Sequence, residues 1–303
     1  MPKPEKDDTM LQFRSVALSD KGELTEFFRR KNYPGDQYSF ANLYIWRNIF
    51  HFAICVEDGV LFIRTGVKGS YTFLCPMGSG DLKQSVEKLL DWCREEGCSL
   101  RMEWVPPEDK AALEALFGSR AKVSSDRDHA DYIYSREKLC TLAGKKLHAK
   151  RNFIHRFREQ NWSYEPITPK NLDECRAMQR EWCRTNDCCT DENRRDECCA
   201  VQQAFRNYQY LGFDGGCLRL DGRVVAFTMG EPLSIDTYVV RIEKAFADIP
   251  GAYPMINQQF VEHVMGDYAY VNREDDVGNE GLRKAKLSYF PERLLEDWIV
   301  EID

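Results

Sequence analysis

The segment from Asn272 to Tyr289 has the sequence NREDDVGNEGLRKAKLSY. The short apolar run at 268–271 that precedes it is typical of a β-strand, whereas Leu282, Ala285 and Tyr289 recur at the spacing of one helix face. An acidic turn with a glycine joins the two patterns. A strand that passes through a turn into a helix commonly positions functional residues. We therefore expect the functional site here.

Two cations stand out on the helical part of this segment. Arg283 and Lys286 are three residues apart, so a helix would project both from one face. Backbone N–H groups at the start of the helix also favour negative charge, and a phosphate or carboxylate ligand would suit this place. Alternatively, the nearby carboxylates neutralise the helix start and the cations. These carboxylates are Glu274, Asp275, Asp276 and Glu280.

The composition is that of a folded protein with enough apolar residues for packed cores. The chain has 303 residues, of which 43% are hydrophobic and 30% charged, and its formal net charge is -7. This length predicts two domains. No apolar run approaches the roughly 18 to 20 residues that span a bilayer, and the N-terminus lacks the apolar core of a signal peptide. We expect a cytoplasmic protein without a transmembrane segment, with disorder only in the polar residues 1–10.

Twelve cysteines are a high count for a chain of this length. The pairs Cys188-Cys189 and Cys198-Cys199 do not have the spacing of a zinc ribbon, and the sequence has no Cys-x-x-Cys motif. Without a secretory signal, a disulfide framework is not expected either. We predict no metal site, and cysteines that are mostly reduced and packed as small hydrophobic residues.

Hydrophobic patterns predict the same order of elements in both halves of the chain. Each half reads as a strand, two helices, three antiparallel strands, a helix, a strand and a helix. Asp58-Gly59 and Asp221-Gly222 are typical hairpin turns within the groups of strands. In the second half, the charged segment 185–195 is expected to be a loop. The repeated order indicates a duplicated mixed α/β fold, with domains at 1–140 and 141–303.

The second domain begins with a helix of unusual charge. Residues 142–158 contain six Lys or Arg residues and no acidic residue, together with a narrow apolar stripe. Three interpretations are open: a solvated linker helix, a face that binds polyphosphate or RNA, and a helix on a membrane surface. The stripe contains no tryptophan, which favours docking onto a domain over insertion into lipid.

Four segments of the second half resemble a known family, namely residues 221–231, 243–245, 252–260 and 272–286. They are similar to the C-terminal catalytic domain of phosphatidylglycerol lysyltransferases, and within that family to stand-alone bacterial members without the integral membrane module. The resemblance is strong over 145–291 and extends over nearly the whole chain. It implies tandem GNAT-like acyltransferase domains related to the Fem peptidoglycan aminoacyl ligases. It also implies an aminoacyl-tRNA donor and a small-molecule or lipid head-group acceptor.

One loop bears on the choice of donor. GNAT enzymes hold the pyrophosphate of acyl-CoA with the backbone N–H groups of a glycine-rich loop between a central strand and a helix. The corresponding loop, residues 246–253, contains a single glycine, Gly251, and no basic residue. We therefore expect aminoacyl-tRNA as the co-substrate, with acyl-CoA as the alternative and no tightly bound cofactor.

Aminoacyl transfer from an ester needs an acceptor placed against the carbonyl, a stabilised oxyanion and a route for a proton. We assign Arg283, Lys286 and Lys244 to oxyanion or phosphate stabilisation, and Glu243 or Asp276 to a proton or ammonium contact. The substrate-binding candidates are Lys145, Lys146, Arg151 and Arg156 for tRNA phosphates, Asn257 for orientation, and Asn272, Arg273 and Gly278 in the loop. For Glu243 and Lys244, an ordinary ion pair at a strand end is the alternative.

The sequence therefore predicts an aminoacyltransferase that moves an aminoacyl group from tRNA to an amine or hydroxyl. Two other hypotheses remain: a non-catalytic GNAT-like protein that binds RNA or an anionic metabolite, and an acyl-CoA N-acetyltransferase. They differ in what can be observed. An aminoacyl donor requires RNA binding that weakens with salt, acetyl transfer requires affinity for coenzyme A, and a scaffold binds without turnover.

Overall fold

The computed structural model describes residues 10–303, so the disorder expected at residues 1–10 falls outside the described range except at Met10. The chain forms two compact units. The first comprises the residues up to Tyr33, Asn42–Arg127 and Glu296–Asp303, and the second comprises Pro34–Ala41 and Asp128–Leu295. The domain boundary expected at residue 140 stays a prediction.

The part of the first unit that the structure describes contains a mixed sheet and four helices. Its strands are β1 (Arg14–Ser15), β2 (Ala53–Glu57), β3 (Val60–Thr65), β4 (Thr72–Phe73), β5 (Met77–Gly78) and β6 (Leu100–Val105). Its helices are α1 (Lys21–Lys31), α2 (Phe40–Trp46, which begins in the second unit), α3 (Leu82–Glu96) and α4 (Pro107–Phe117). Single 3₁₀ turns lie at Leu18–Asp20 and Gly118–Arg120.

The second unit contains the longer strands. They are β7 (Ala121–Ser135, which begins in the first unit), β8 (Trp162–Pro166), β9 (Asp214–Leu220), β10 (Arg223–Pro232), β11 (Thr237–Ala245) and β12 (Tyr270–Asn272). The helices are α5 (Arg136–Thr141), α6 (His148–Arg158, after a 3₁₀ turn at Lys145–Leu147), α7 (Leu172–Thr185), α8 (Glu192–Arg206), α9 (Tyr208–Leu211), α10 (Ala252–Val264) and α11 (Glu280–Leu287). The last strand, β13 (Arg293–Ile302), ends in the first unit.

Both units pair their strands in mixed directions. In the first the order is β1-β2-β3-β4-β6-β13, with β5 also on β3 and with β4 parallel to β6. In the second the order is β7-β12-β11-β10-β9-β8, and only β11 and β12 run parallel. The expected element order recurs in both halves, and β5, α5, α9 and β13 are additional elements that the sequence did not predict. The mixed α/β class is confirmed.

Local sequence explains where several elements begin. Asp58 and Gly59 have φ values of 51° and 72°, and they form the expected hairpin turn between β2 and β3. The expectation that 185–195 is a loop is wrong at its end. There, the Asp191 side chain accepts a hydrogen bond from the Arg194 N–H at 2.8 Å and caps α8.

The strand-helix-strand unit β11-α10-β12 positions the candidate site. Val239 pairs with Asn272, so the residues after β12 lie beside the second half of β11. Helix α10 packs on β9, β10 and β11, where Phe227, Tyr238 and Phe260 are fully buried. A packed core therefore fixes both strands from which the site residues project. In residues 10–303, no helix is long and apolar enough to cross a membrane.

Candidate functional site

A carboxylate on β11 gathers two of the predicted site residues. Glu243 accepts a hydrogen bond from Arg273 Nη2 at 2.8 Å through one oxygen and from Asn257 Nδ2 at 2.9 Å through the other. Asn257 lies on α10 and is 1% exposed, whereas Arg273 directly follows β12. We call Glu243, Arg273 and Asn257 the Glu243 cluster. Because both its oxygens are held, the carboxylate has a fixed orientation.

Arg273 retains hydrogen-bonding capacity after pairing with Glu243. Its guanidinium carbon lies 4.8 Å from the ring centroid of Tyr289 and 5.7 Å from that of Tyr134. Its Nη1 atom is buried and has no hydrogen-bond partner within the described part of the chain. Burial alone would lower the pKa of Arg273, but Glu243, Tyr289 and Tyr134 together outweigh it and raise the pKa. The site thus contains a charged guanidinium held between Glu243 and the rings of Tyr134 and Tyr289.

Helix α6 adds a lysine that sequence reasoning did not single out from the six Lys and Arg residues of the segment 142–158. The Lys150 Nζ atom lies 4.2 Å from the ring centroid of Tyr289, the ring that Arg273 also approaches. Burial and the positive charge of Arg273 lower the pKa of Lys150, while Glu243 acts in the opposite direction. Its position four residues after Lys146, on one helix face, is the sequence signal that could have found it.

The acidic turn after β12 is closed by its own ion pair. The fully buried Asp276 accepts hydrogen bonds from Arg283 Nε at 2.9 Å and Nη2 at 2.6 Å, from the Tyr132 hydroxyl at 2.5 Å, and from the Gly278 N–H at 3.1 Å. Burial raises the pKa of Asp276, but the hydrogen bonds from Arg283 and Tyr132 outweigh it and lower the pKa to about 2. The place expected to hold an anionic ligand is therefore filled by a carboxylate of the chain. Arg283 also pairs with Asp128 at 2.6 Å.

Lys286 holds the same turn from within. Its Nζ atom donates to the carbonyl oxygen of Arg273 at 2.7 Å and to that of Asp275, and the residue is only 9% exposed. Burial lowers its pKa. Asn279 caps α11 by accepting from the Leu282 N–H at 2.9 Å. Lys286 thereby ties α11 to the backbone from which Arg273 projects.

The start of the turn rests on a second set of polar contacts. Asn272 is fully buried and donates to Asp131 Oδ2 at 2.7 Å and to the Pro34 carbonyl oxygen at 2.8 Å. Its own side-chain oxygen accepts from the Glu274 N–H at 2.6 Å. Asn272 was predicted to bind substrate, and the structure places its side chain among protein groups.

Beside it, a buried arginine sits among carboxylates. Arg241 donates to Glu231 at 3.0 Å and to Glu274 at 3.0 Å, and its side chain is 1% exposed. Burial raises the pKa of Glu274 to about 8, and the negative charge of Asp36 adds to the effect while Arg241 opposes it. Sequence reasoning missed this group because the partners of Arg241 are distant in sequence: Glu231 lies on the neighbouring strand β10 and Glu274 follows β12.

Lys244 points away from the Glu243 cluster, as the alternation of a strand requires. Its Nζ atom pairs with Glu197 at 2.5 Å and lies 4.2 Å from the ring centroid of Trp182. The structure therefore does not bring Lys244 together with Glu243.

The predicted basic helix is α6 with its preceding 3₁₀ turn. Lys145, Lys146 and Arg156 are exposed. Arg151 differs, because its guanidinium donates to the carbonyl oxygens of Leu142 and Gly144 within the chain. Three of the four predicted tRNA contacts thus present their charges to solvent.

Helix α6 also covers the start of α10. A Cβ atom added to Gly251 would lie 2.5 Å from the carbonyl oxygen of Phe153, and Gly251 has a φ of 91°. The Ala252 N–H is already bonded to the Ile249 carbonyl oxygen at 3.2 Å, and Pro254 has no N–H. Of the first three residues of α10, only Tyr253 has an N–H group that could bind a ligand.

The cysteines make one close contact on α7 and α8. The Sγ atoms of Cys183 and Cys198 lie 3.3 Å apart, and burial, followed by hydrogen bonds with Cys188 and Cys198, raises the pKa of Cys183. Across residues 10–303, no group of three His, Cys, Asp or Glu side chains is arranged to hold a metal ion.

Fold and site together define a mixed α/β protein with a buried polar cluster at the end of a parallel strand pair. Residues 28–301 match the family described as phosphatidylglycerol lysyltransferase, C-terminal, and the chain belongs to this family. A search of curated proteins finds no match.

Solved structures support the same assignment. A conserved protein of unknown function from Bacteroides thetaiotaomicron is 39% identical, with a TM-score of 0.92, and the match covers 97% of this chain and 100% of that one. L-PGS from Bacillus licheniformis has a TM-score of 0.64 at 15% identity, over 93% and 92% of the two chains. FemX has a TM-score of 0.60 at 9% identity, over 97% and 98%. The last two show that this chain shares the fold of L-PGS and FemX.

Proposed function

We propose that this protein transfers an aminoacyl group from aminoacyl-tRNA to an amine or hydroxyl acceptor. Membership in the phosphatidylglycerol lysyltransferase C-terminal family supports a transferase. The acceptor is a small molecule or a lipid head group. No tightly bound cofactor is part of this proposal, since the ester bond of the donor already activates the aminoacyl group.

The observation that carries the proposal is the position of α6. This helix covers the start of α10, where N–H groups would have to bind the pyrophosphate of acyl-CoA, and Pro254 and Gly251 leave little capacity there. The same helix exposes Lys145, Lys146 and Arg156. Exposed cations without an N–H cradle favour an RNA donor over a coenzyme A donor.

The proposed reaction needs no covalent enzyme intermediate. The acceptor nitrogen or oxygen attacks the ester carbonyl carbon, the bond to the ribose oxygen breaks, and the acceptor proton passes to that oxygen. We assign Glu243 to the proton or to the donor ammonium group, Arg273 to the carbonyl oxygen, and Asn257 to the orientation of Glu243.

We assign a different task to the residues of the turn. Asp276, Gly278, Arg283 and Lys286 hold the backbone that presents Arg273, through the hydrogen bonds given above. Their effect on catalysis is therefore through position. Lys244 is proposed to act as a structural ion pair with Glu197.

A binding protein without turnover is the second candidate. One specific observation favours it: Arg283 and Lys286, the two cations singled out in the segment 272–289, donate their hydrogen bonds to protein groups. Such a protein would bind charged and uncharged tRNA equally and would leave the ester intact.

Titration of the purified protein with charged tRNA, uncharged tRNA and acetyl-CoA, at two salt concentrations, tests the proposal. Tighter binding of charged tRNA is expected, with affinity that falls as salt rises. The triple variant Lys145→Glu, Lys146→Glu, Arg156→Glu should weaken RNA binding, and Lys170→Glu, an exposed lysine elsewhere in the unit, serves as the matched control. Binding of acetyl-CoA alone would refute the proposal.

A further inference from the structure

Helices α7 and α8 bring two thiols into direct contact. Cys183, near the end of α7, donates a hydrogen bond to Cys198 of α8, and their Sγ atoms lie 3.3 Å apart. Each sulfur also accepts from an amide: Gln179 Nε2 lies 3.2 Å from Cys183, and Gln202 Nε2 lies 3.6 Å from Cys198. The sulfur atoms of a disulfide are about 2.05 Å apart, so a movement of about 1.2 Å would join the two.

Access to solvent distinguishes this contact from the other thiol contacts. Cys183 and Cys198 are both partly exposed, and we call them the α7–α8 thiol pair. Three other hydrogen-bonded contacts each include a buried thiol, namely Cys93 with Cys98, Cys175 with Cys217, and Cys183 with Cys188. A small oxidant in solvent therefore reaches both members of the α7–α8 thiol pair most readily.

The residue before each thiol of the pair contacts the end of β11. Trp182 of α7 lies with its ring centroid 4.2 Å from Lys244 Nζ, and its Nε1 atom donates to the carbonyl oxygen of Ala245 at 3.1 Å. Glu197 of α8 pairs with Lys244 Nζ at 2.5 Å. A covalent bond between the two thiols would therefore clamp both helices on the end of the strand that carries Glu243.

We propose that Cys183 and Cys198 form a redox modification site, in which an oxidant of the peroxide class converts the two thiols into a disulfide that clamps α7 and α8 on the end of β11. In the first step the Cys198 sulfur attacks a peroxide oxygen, the O–O bond breaks, and a sulfenic acid and one water form. In the second step the Cys183 sulfur attacks the Cys198 sulfur, the S–O bond breaks, and the hydroxyl group leaves with the Cys183 proton as a second water. Two electrons pass from the sulfur atoms to the peroxide.

The order of the two sulfurs follows from their surroundings. Burial, followed by hydrogen bonds with Cys188 and Cys198, raises the pKa of Cys183. A thiol that keeps its proton is a poor nucleophile toward peroxide, so we assign the first step to Cys198. Cys183 already donates its S–H to the Cys198 sulfur and is placed for the second step.

Peptide mapping of the full-length protein tests the site. The protein is treated with equimolar hydrogen peroxide, alkylated, and digested with trypsin without reduction. Trypsin cleaves after arginine and separates the thiols of this region into three peptides: 181–184 with Cys183, 185–194 with Cys188 and Cys189, and 196–206 with Cys198 and Cys199. A disulfide between 181–184 and 196–206 is expected. A link from 181–184 to 185–194 instead, or no link, would overturn the site.

Matched variants identify the sulfur and measure the gain in stability. Cys199→Ser should keep the link between the two peptides, whereas Cys198→Ser should abolish it; loss of the link in Cys199→Ser would overturn the assignment. Peroxide should raise the Tm of Cys199→Ser by about 5 °C, because the bond closes the loop between positions 183 and 198 in the unfolded chain. Dithiothreitol should reverse this rise, and Cys198→Ser should not show it.

Amide hydrogen exchange tests the clamp. Exchange at the end of β11 should slow about fivefold on oxidation, because local opening there requires the helices to separate, while exchange in β2 and β3 should stay the same. A link that forms without slower exchange would overturn the clamp. Neither measurement uses tRNA or an acceptor, so the outcome is independent of the proposed function.

Discussion

Replacement of Asp276 by Asn is expected to destabilise the second unit by an amount that depends on pH. Asp276 is fully buried and accepts two hydrogen bonds from Arg283, one from Tyr132 and one from the Gly278 N–H. An amide of the same shape loses the charge and one acceptor oxygen. It leaves the Arg283 guanidinium, whose side chain is 30% exposed, without its buried partner.

The magnitude follows from the pKa of Asp276. Its value of about 2, against a reference value of 3.8, corresponds to about 2.4 kcal/mol of stabilisation of the charged form. Breaking a buried ion pair costs about 3 to 5 kcal/mol, and the partial exposure of Arg283 reduces this. We therefore expect about 2 to 3 kcal/mol at pH 7, or a lowering of Tm by about 5 to 10 °C.

The pH dependence has a definite sign. Because folding lowers the pKa of Asp276, its stabilisation is complete above the unfolded value near pH 4 and is lost as the pH falls through about 2. The difference between the unaltered protein and Asp276→Asn should shrink over this range. Denaturant unfolding at pH 7, 5, 4 and 3 measures it.

Asp128→Asn is the matched control. Asp128 accepts from the same Arg283 guanidinium but is 52% exposed, so its replacement should cost no more than about 1 kcal/mol. If Asp276→Asn costs as little as Asp128→Asn, or if its cost is independent of pH, the buried pair does not hold the turn.

Three further predictions concern single side chains. Glu243→Gln should lower transfer by about 10²- to 10⁴-fold, because the group proposed for the proton or ammonium contact is lost; single-turnover kinetics, at a temperature well below the Tm of the variant, measures this. Loss of the ion pair with Arg273 should also lower Tm. Glu274→Gln should stabilise the protein more at pH 8 than at pH 5, because burial raises the pKa of Glu274 to about 8. Between the pKa of Glu274 in the unfolded chain and this higher folded value, the contribution of the group to stability falls as pH rises, and a neutral Gln avoids that loss. Denaturant titration at both pH values checks it. Gly251→Ala should lower Tm by several degrees, since φ is 91° and the new Cβ would meet the Phe153 carbonyl oxygen at 2.5 Å, whereas Gly266→Ala, which meets no atom within 4 Å, should not.

Failure of these predictions has specific meaning. Full activity of Glu243→Gln would remove the Glu243 cluster from the proposed site. Equal effects of Glu274→Gln at the two pH values would show that the carboxylate is charged throughout. Equal Tm values for Gly251→Ala and Gly266→Ala would mean that α6 does not pack tightly against the start of α10.

Local interactions made part of this structure predictable from sequence. The order of the elements follows from hydrophobic periodicity and turn residues. The N-cap of α11 is Asn279, three residues before Leu282, and its side chain accepts a hydrogen bond from the Leu282 N–H. The Asp58-Gly59 turn needs positive φ values that these residues tolerate. Each of these features depends on interactions between residues a few positions apart, so the local sequence pattern is enough to predict it.

Partners distant in sequence were not predictable in this way. Arg283 could have paired with any of four nearby acids, and strand pairing brings it Asp128, 155 positions away, in addition to Asp276. The contact of Lys150 with Tyr289 likewise depends on how α6 docks. Such contacts arise from tertiary packing, which the spacing of residues along the chain does not determine.

The measurement that tests the central claim most directly is the fate of the ester in charged tRNA. The protein is incubated with tRNA bearing a radiolabelled amino acid and a pool of amine, hydroxyl and lipid head-group acceptors, beside Glu243→Gln and a parallel reaction with labelled acetyl-CoA. The account predicts that label leaves the tRNA for an acceptor, in amounts that depend on Glu243. Label that remains on the tRNA, or transfer from acetyl-CoA alone, would contradict it.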